Sequence, residues 1–184
     1  MAVQKILTVP NPVLRQKAKR IEKIDRKILK LVKDLKDTLE VQENPRGVGL
    51  SAPQIGVSKR VLVLKLEQKI IPFINPEIVF ASKETLEDIL PKEKRFMEGC
   101  LSVPGFWGFV NRHFRIKVSF QNLTGAGEIK EFAGREASFF QHELDHLDGI
   151  LFIDRILKQK GRLYKLERSK DGKDVFTEIE IIPS

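Results

Sequence analysis

The sequence predicts an α+β fold in which antiparallel sheets pack around a central helix, with a further helix near the N-terminus. Two segments repeat apolar residues every three or four positions, several short β-branched runs alternate apolar and polar residues, and a glycine-containing turn joins two of those runs as a hairpin requires. At 184 residues, with 41% hydrophobic and 32% charged side chains, the chain suits one compact domain over 1–184 and not a disordered tail or a collagen-like repeat.

The opening TVPNPVLRQKA reads as extended, because its two prolines disfavour helix. Ile21, Ile24, Ile28, Leu31, Leu35 and Leu39 then share one face, with lysines and acids filling the other, which predicts a helix that Asp25 can cap. The segment ENPRGVG should stop it, since Pro45, Gly47 and Gly49 oppose helix continuation. After the loop GVGLSAPQIG, the runs VLVLKL and IIPFINPEIVFA are short and β-branched enough to be strands. Phe114, Ile116, Val118 and Phe120 alternate as another strand, and NLTGAG turns it into EIKEFA. Helical spacing returns from about Arg135 to Asp148, with Gly149 where a C-terminal cap sits. A charged stretch, RILKQKGRLYKLERSKDGKD, leads to a last strand in which Val175, Thr177, Ile179 and Ile181 alternate.

No run approaches the roughly 20 apolar residues of a membrane span, and MAVQKILTVP lacks a charged region followed by a long apolar one, so a cytoplasmic location is expected. A single cysteine, Cys100, cannot close an intramolecular disulfide. The formal charge of +8 and pI near 9.6 suit a polyanionic partner such as RNA and equally suit a solvated basic surface.

The most informative residues are His142-Glu143-Leu144-Asp145-His146. At 3.6 residues per turn, positions four apart lie on one helix face, so both imidazoles can reach one ion with Glu143 beside them. This H-E-x-x-H pattern uses its histidines to bind a divalent metal and its glutamate to handle the proton of bound water. A catalytic metal usually takes a third protein ligand. The acids Asp148, Asp154 and Glu167 lie downstream, and Cys100 stands upstream in EGCLSVPG, although a lone cysteine is ordinarily a small buried hydrophobe.

Three segments together resemble the peptide deformylase family: GVGLSAPQIG at 47–56, EGCLSVPG at 98–105 and QHELDHLDG at 141–149, in the family's order. TVPNPVLRQKAKRI and ILFIDRI are also similar, so the resemblance runs from about residue 6 to about residue 156. It implies hydrolysis of the formyl group from the N-terminal formyl-methionine of new polypeptides, with N-formylmethionyl peptides as partners. It also implies Cys100, His142 and His146 as metal ligands, and Fe(2+) as the native ion. Zn(2+), Ni(2+) and Co(2+) are substitutes that suit the same donors. Glu143 would act as general base and then general acid, while Gln54 and the Leu101 N–H stabilise the formyl oxygen. Glu98 and Arg112 match a charged pair that braces the cysteine loop.

Gly49, bare of side chain, is expected to pair with substrate main chain, and Phe139 and Phe140 to help line a methionine pocket, with core packing the competing role for at least one of them. Phe106-Trp107 stands where the family commonly has an aromatic residue and then arginine, which should alter preference beyond the first residue. Ser51 replaces a usual alanine, a change small enough to leave the loop intact. The C-terminal third departs from the family's long terminal helix. From Arg155 to Asp174, Arg155, Lys158, Lys160, Arg162, Lys165, Arg168, Lys170 and Lys173 face only Glu167, Asp171 and Asp174, a basic surface suited to ribosome association. Two other readings stay open on the residues alone. One is a metallopeptidase with a downstream acidic ligand. The other is an RNA-binding protein whose structural zinc adds His113 to Cys100, His142 and His146.

Overall fold

The computed structural model describes residues 2–43, 47–168 and 173–180, so Pro45, Lys170, Asp171 and Ile181 lie outside the described residues. Helix α1 spans Arg26–Glu40, and Asp25 caps it by accepting from the N–H groups of Lys27 and Ile28 at 2.9 and 3.0 Å. Strands β1 (Gly49–Ser51), β2 (Val61–Leu66) and β3 (Lys69–Ala81) follow, then a short helix α2 (Leu86–Ile89). Strands β4 (Glu98–Cys100), β5 (Val103–Gly108), β6 (Arg115–Gln121) and β7 (Gly127–Ala133) lead into helix α3 (Gly134–Leu147). Helix α4 (Phe152–Lys158) and the hairpin β8 (Leu163–Arg168) and β9 (Asp174–Ile179) complete the described chain.

The strands form two antiparallel sheets, one in the order β1-β2-β3-β6-β7 and one in the order β4-β5-β8-β9. Strand β2 explains how the larger sheet is held. Leu62 and Leu64 point into a core with Ala137, Phe140, Leu144 and Leu147 of α3, whereas Val61 and Val63 pack with Leu31, Leu35 and Leu39 of α1. A strand covered by a helix on each face must be apolar on both, which is why VLVL shows no alternation. A third cluster, of Cys100, Val103, Val110, Leu151, Phe152 and Ile156, ties the smaller sheet to α4. Helix α3 is thus central, as the sequence predicts.

Several boundaries differ from the sequence expectation. Ile21 is buried but not helical, because the Asn75 side chain accepts from its N–H and donates to its carbonyl, both at 2.8 Å, so its main chain is already paired. Ile24 likewise precedes the Asp25 cap. The opening contains a 3-10 turn at Pro12–Arg15, begun by the Asn11 side chain accepting from Val13 N–H. Residues 163–168, read only as part of a charged stretch, form β8. Among the described residues no helix is long and apolar enough to cross a membrane.

Candidate metal centre

Helix α3 ends where Gly149, with φ of 73°, turns the chain back; a Cβ there would lie 2.6 Å from the Arg15 carbonyl oxygen. Within the last turns of α3, His142 and His146 share one face as an i, i+4 pair, their rings edge-on with centroids 5.1 Å apart. Strand β4 delivers Cys100 against them, its Sγ 3.1 Å from His146 Nε2. One ligand atom from each of the three residues lies within 4.8 Å of the others, and all three are buried. A tetrahedral ion bonded at about 2.0 to 2.3 Å holds its ligand atoms roughly 3.5 Å apart, so the thiol and two imidazoles fit such an ion.

The supporting groups fit it as well. His142 Nδ1 faces Glu98 Oε2 at 2.8 Å, which leaves Nε2 as the free ligand atom. Arg112 grips Glu98 with two bonds, Nε to Oε1 at 2.6 Å and Nη2 to Oε2 at 2.9 Å, and Ser138 adds a third at 3.1 Å. Burial alone would raise the Glu98 carboxyl, but Arg112 and His142 prevail and hold it well below the usual carboxylate range. Arg112 also reaches Asp145 at 2.7 Å, and Asp145 is clasped from the other side by Arg155. Burial holds His146 well below its ordinary value, hence neutral, as a ligand must be. Burial pulls His142 the same way, yet its contacts with Cys100 and Glu98 win and push it well above. Groups that favour a proton there would equally favour a metal cation.

Glu143 is buried, and burial raises its carboxyl, against the pull of His142 and of a hydrogen bond from the Ser51 hydroxyl. That bond is 2.6 Å long, and Ser51 Oγ also lies 2.8 Å from the Glu143 carbonyl oxygen. A Cβ on Gly49 would meet Glu143 Cγ at 2.6 Å, so only glycine lets β1 pass this close. The Gln54 side chain is aimed by its own oxygen, which accepts from Ser51 N–H at 2.7 Å. Its Nε2 is left facing Cys100 Sγ at 3.8 Å and Ser102 Oγ at 3.2 Å.

A cavity of about 290 Å³ opens over these groups. Gly47, Val48 and Gly49 line one side, and Met97, Glu98, Gly99, Cys100 and Leu101 the other. It therefore lies between two sheet edges, β1 and β4, with α3 as its floor. Phe139 lines it beside Phe96, whose ring carries the Arg135 guanidinium at 4.8 Å. Phe140 does not reach it. About 100° further round α3, Phe140 is fully buried and packs edge-on against Phe73 in the core, with centroids 5.0 Å apart. Trp107 lines the cavity, packs against Gly99 and meets Phe176 of β9 edge-on at 6.1 Å.

The sequence readings with other ligands lose their geometry here. His113 is exposed and bonded to the Ser82 carbonyl oxygen at 2.7 Å, away from the cluster. Asp148, Asp154 and Glu167 are paired with Arg60, Arg15 and Lys165. Sequence reasoning missed Ser102, Phe96, Arg135, Arg155 and the bond made by Ser51. Phe96 and Met97 directly precede EGC, but nothing in their spacing marks them as cavity wall.

A family model described as polypeptide deformylase matches residues 3–162. The chain is 48% identical to a peptide deformylase of Desulforudis audaxviator over 158 residues, covering 84% of this chain and 94% of that one. It superposes with a TM-score of 0.74 on the crystal structure of peptide deformylase from Thermotoga maritima, at 37% identity over 84% of this chain and 98% of that chain. It does so equally, at 0.74 and 32% identity, on a Synechococcus elongatus peptide deformylase in complex with actinonin, over 84% of this chain and 79% of that chain.

Proposed function

The chain belongs to the polypeptide deformylase family, and on that footing we propose how its own residues carry the reaction. The enzyme hydrolyses the N-formyl group of the N-terminal formyl-methionine on newly made polypeptides, giving formate and a free amine. Cys100, His142 and His146 would hold one divalent ion, which would supply the acidity that bulk water, with a pKa of about 15.7, lacks near neutral pH. The remaining work falls to the protein.

Glu143 takes the proton of the attacking water and delivers it to the amine nitrogen as the C–N bond breaks, base work followed by acid work. Negative charge grows on the formyl oxygen, and Gln54 Nε2 and the Leu101 N–H donate to it. The substrate enters as an extended strand between β1 and β4, where main-chain bonds, including those of Gly49, supply affinity. Phe139, with Phe96 and Met97, receives the methionine side chain, and Trp107 borders the residues that follow. Glu98, held by Arg112, fixes the direction of the His142 ring.

The observation that carries this reading is the gathering of Cys100, His142 and His146 ligand atoms within 4.8 Å, beside a cavity that Cys100, His142, Glu143 and Gln54 line. One thiolate and two imidazoles suit iron, zinc, nickel and cobalt, and we take Fe(2+) as the native ion with the others as substitutes. The test is formate release from formyl-Met-Ala-Ser by protein loaded separately with iron, nickel, cobalt or zinc, beside an unformylated control. Iron should be more active than zinc; equal rates would refute the iron assignment, and metal-loaded protein releasing no formate with any ion would refute the mechanism.

We place the enzyme in the cytoplasm beside the ribosome, on the basic character of the C-terminal segment. Ion pairs trim that surface: Arg155 is taken by Asp145, Arg162 by Glu178 and Lys165 by Glu167. Ribosome co-sedimentation at several salt concentrations should weaken by roughly 0.7 to 0.9 in logarithmic slope per phosphate contact. Equal binding by a variant with Lys158, Arg162 and Lys165 all changed to Glu would refute this contact.

A further inference from the structure

Ser51 and Gly49 lie two residues apart on β1, so their side-chain positions share one face of the strand, and both meet Glu143. Ser51 is fully buried. Its hydroxyl carries one hydrogen and stands 2.6 Å from Glu143 Oε2 and 2.8 Å from the Glu143 main-chain oxygen. The charged oxygen is the stronger acceptor. Ser51 bonds Oε2, so Oε1 is the oxygen left to accept a proton from water. After it does, Oε2 still accepts from Ser51. If the proton sits on Oε2 instead, the carboxyl donates to Oγ and the hydroxyl hydrogen turns to the main-chain oxygen. In every case the groups remain satisfied and the carboxyl keeps its place.

We propose that Ser51 is a positioning residue for Glu143, its hydroxyl holding the carboxyl aimed into the cavity both before and after it carries the proton. The hydroxyl sits on a rigid base: Ser51 pairs with Leu62 in the sheet, and its N–H fixes the Gln54 amide at 2.7 Å. One residue thus orients two partners, Glu143 through its side chain and Gln54 through its main chain. A Ser51→Ala change removes only the first and adds no bulk.

This inference rests on reading Glu143 as the proton carrier, so Glu143→Gln belongs in the same series. For metal-loaded Ser51→Ala acting on formyl-Met-Ala-Ser, kcat should fall about tenfold while KM and bound metal stay within about twofold of the parent, as loss of a hydrogen bond to a working charged group predicts. Ser51→Thr, which keeps the hydroxyl and suits a strand, should restore kcat to within about threefold. Crystal structures should show the Glu143 carboxylate in one orientation in the parent and displaced or divided in Ser51→Ala. An unchanged kcat in Ser51→Ala, a Ser51→Thr as slow as Ser51→Ala, or a Glu143 carboxylate that stays in place without the hydroxyl overturns the proposal. A Glu143→Gln variant with parental rate would instead remove Glu143 from proton transfer, and the two crystal structures would still decide whether Ser51 positions it.

Discussion

Replacing Arg112 with methionine should be among the most damaging single changes to the support of the metal centre. The Arg112 and Glu98 side chains are each 4% exposed and Asp145 is 9% exposed, so the substitution leaves the buried Glu98 carboxylate with only the His142 ring and the Ser138 hydroxyl, and Asp145 with only Arg155. Removing one member of a buried ion pair costs about 3 to 5 kcal/mol. For a chain of this size each kcal/mol shifts Tm by about 2 to 4 °C, so a fall of roughly 6 to 20 °C is expected. Because Glu98 also fixes His142, metal affinity should drop about 10- to 100-fold.

The pH dependence gives the sign. In the parent, Glu98 titrates below its usual value near 4.5, so its contribution to stability is present above that value and disappears only as pH falls through the lower folded value. Without Arg112, burial raises the carboxyl, and stability should instead fall as pH rises past the same point. The Tm gap between parent and variant should therefore widen on going from pH 4 to pH 7, roughly the window those directions define. Scanning calorimetry across that range, with metal titration at pH 7, measures both effects. Adding Glu98→Gln should recover part of the loss, because it removes one stranded charge. A variant melting within about 2 °C of the parent and retaining metal equally would refute the account of this network, since that gap corresponds to at most about 1 kcal/mol.

Cys100→Ser should weaken metal retention with both histidines still present, since a neutral hydroxyl donates far less charge than a thiolate; unchanged stoichiometry and affinity in a metal titration would remove Cys100 from the site. Gly49→Ala should leave the fold intact but slow formate release by at least about tenfold, because its Cβ would lie 2.6 Å from Glu143 Cγ, and a parental rate would mean the carboxyl yields without consequence. Phe139→Ala and Phe140→Ala should part company: the first raises KM for formyl-Met peptides with little change in Tm, the second costs about 3 to 5 kcal/mol in thermal unfolding with KM unchanged. Reversed effects would mean that the two rings had been assigned to the wrong faces of α3.

Much of this was legible in the residues. The i, i+4 histidines needed only helical geometry, and Asp25 announced the start of α1 by its side-chain chemistry. Residues acting through pairing across the sheets were harder to find. Strand β8 has a lysine and an arginine along its length, and it becomes a strand because β5 and β9 flank it, partners that no local pattern names. Ile21 and Ile24 continue the helical period of α1, yet Asn75, far along the chain, takes the Ile21 main chain first. Phe139 and Phe140 are neighbours with the same chemistry, and only the packing of α3 against Phe73 tells core from cavity. Ser51 read as a harmless exchange because its partner, Glu143, is 92 residues away.

The two strand edges that border the cavity are each only three residues long. An exposed edge is normally a hazard, a template on which other chains aggregate, and proteins blunt such edges by shortening them or loading them with charge. The far edge of the larger sheet takes the second course, with Glu128, Lys130 and Glu131 along β7. The cavity edges take the first. Three residues of strand span about 10 Å, too little to recruit a foreign sheet but enough to grip the leading residues of an extended peptide. The same brevity sets how much of a nascent chain is inspected. On the proposed strand-like binding, a polypeptide would find no further main-chain partners past that short ladder, so proteins that begin alike but differ in everything that follows would be processed by one catalyst.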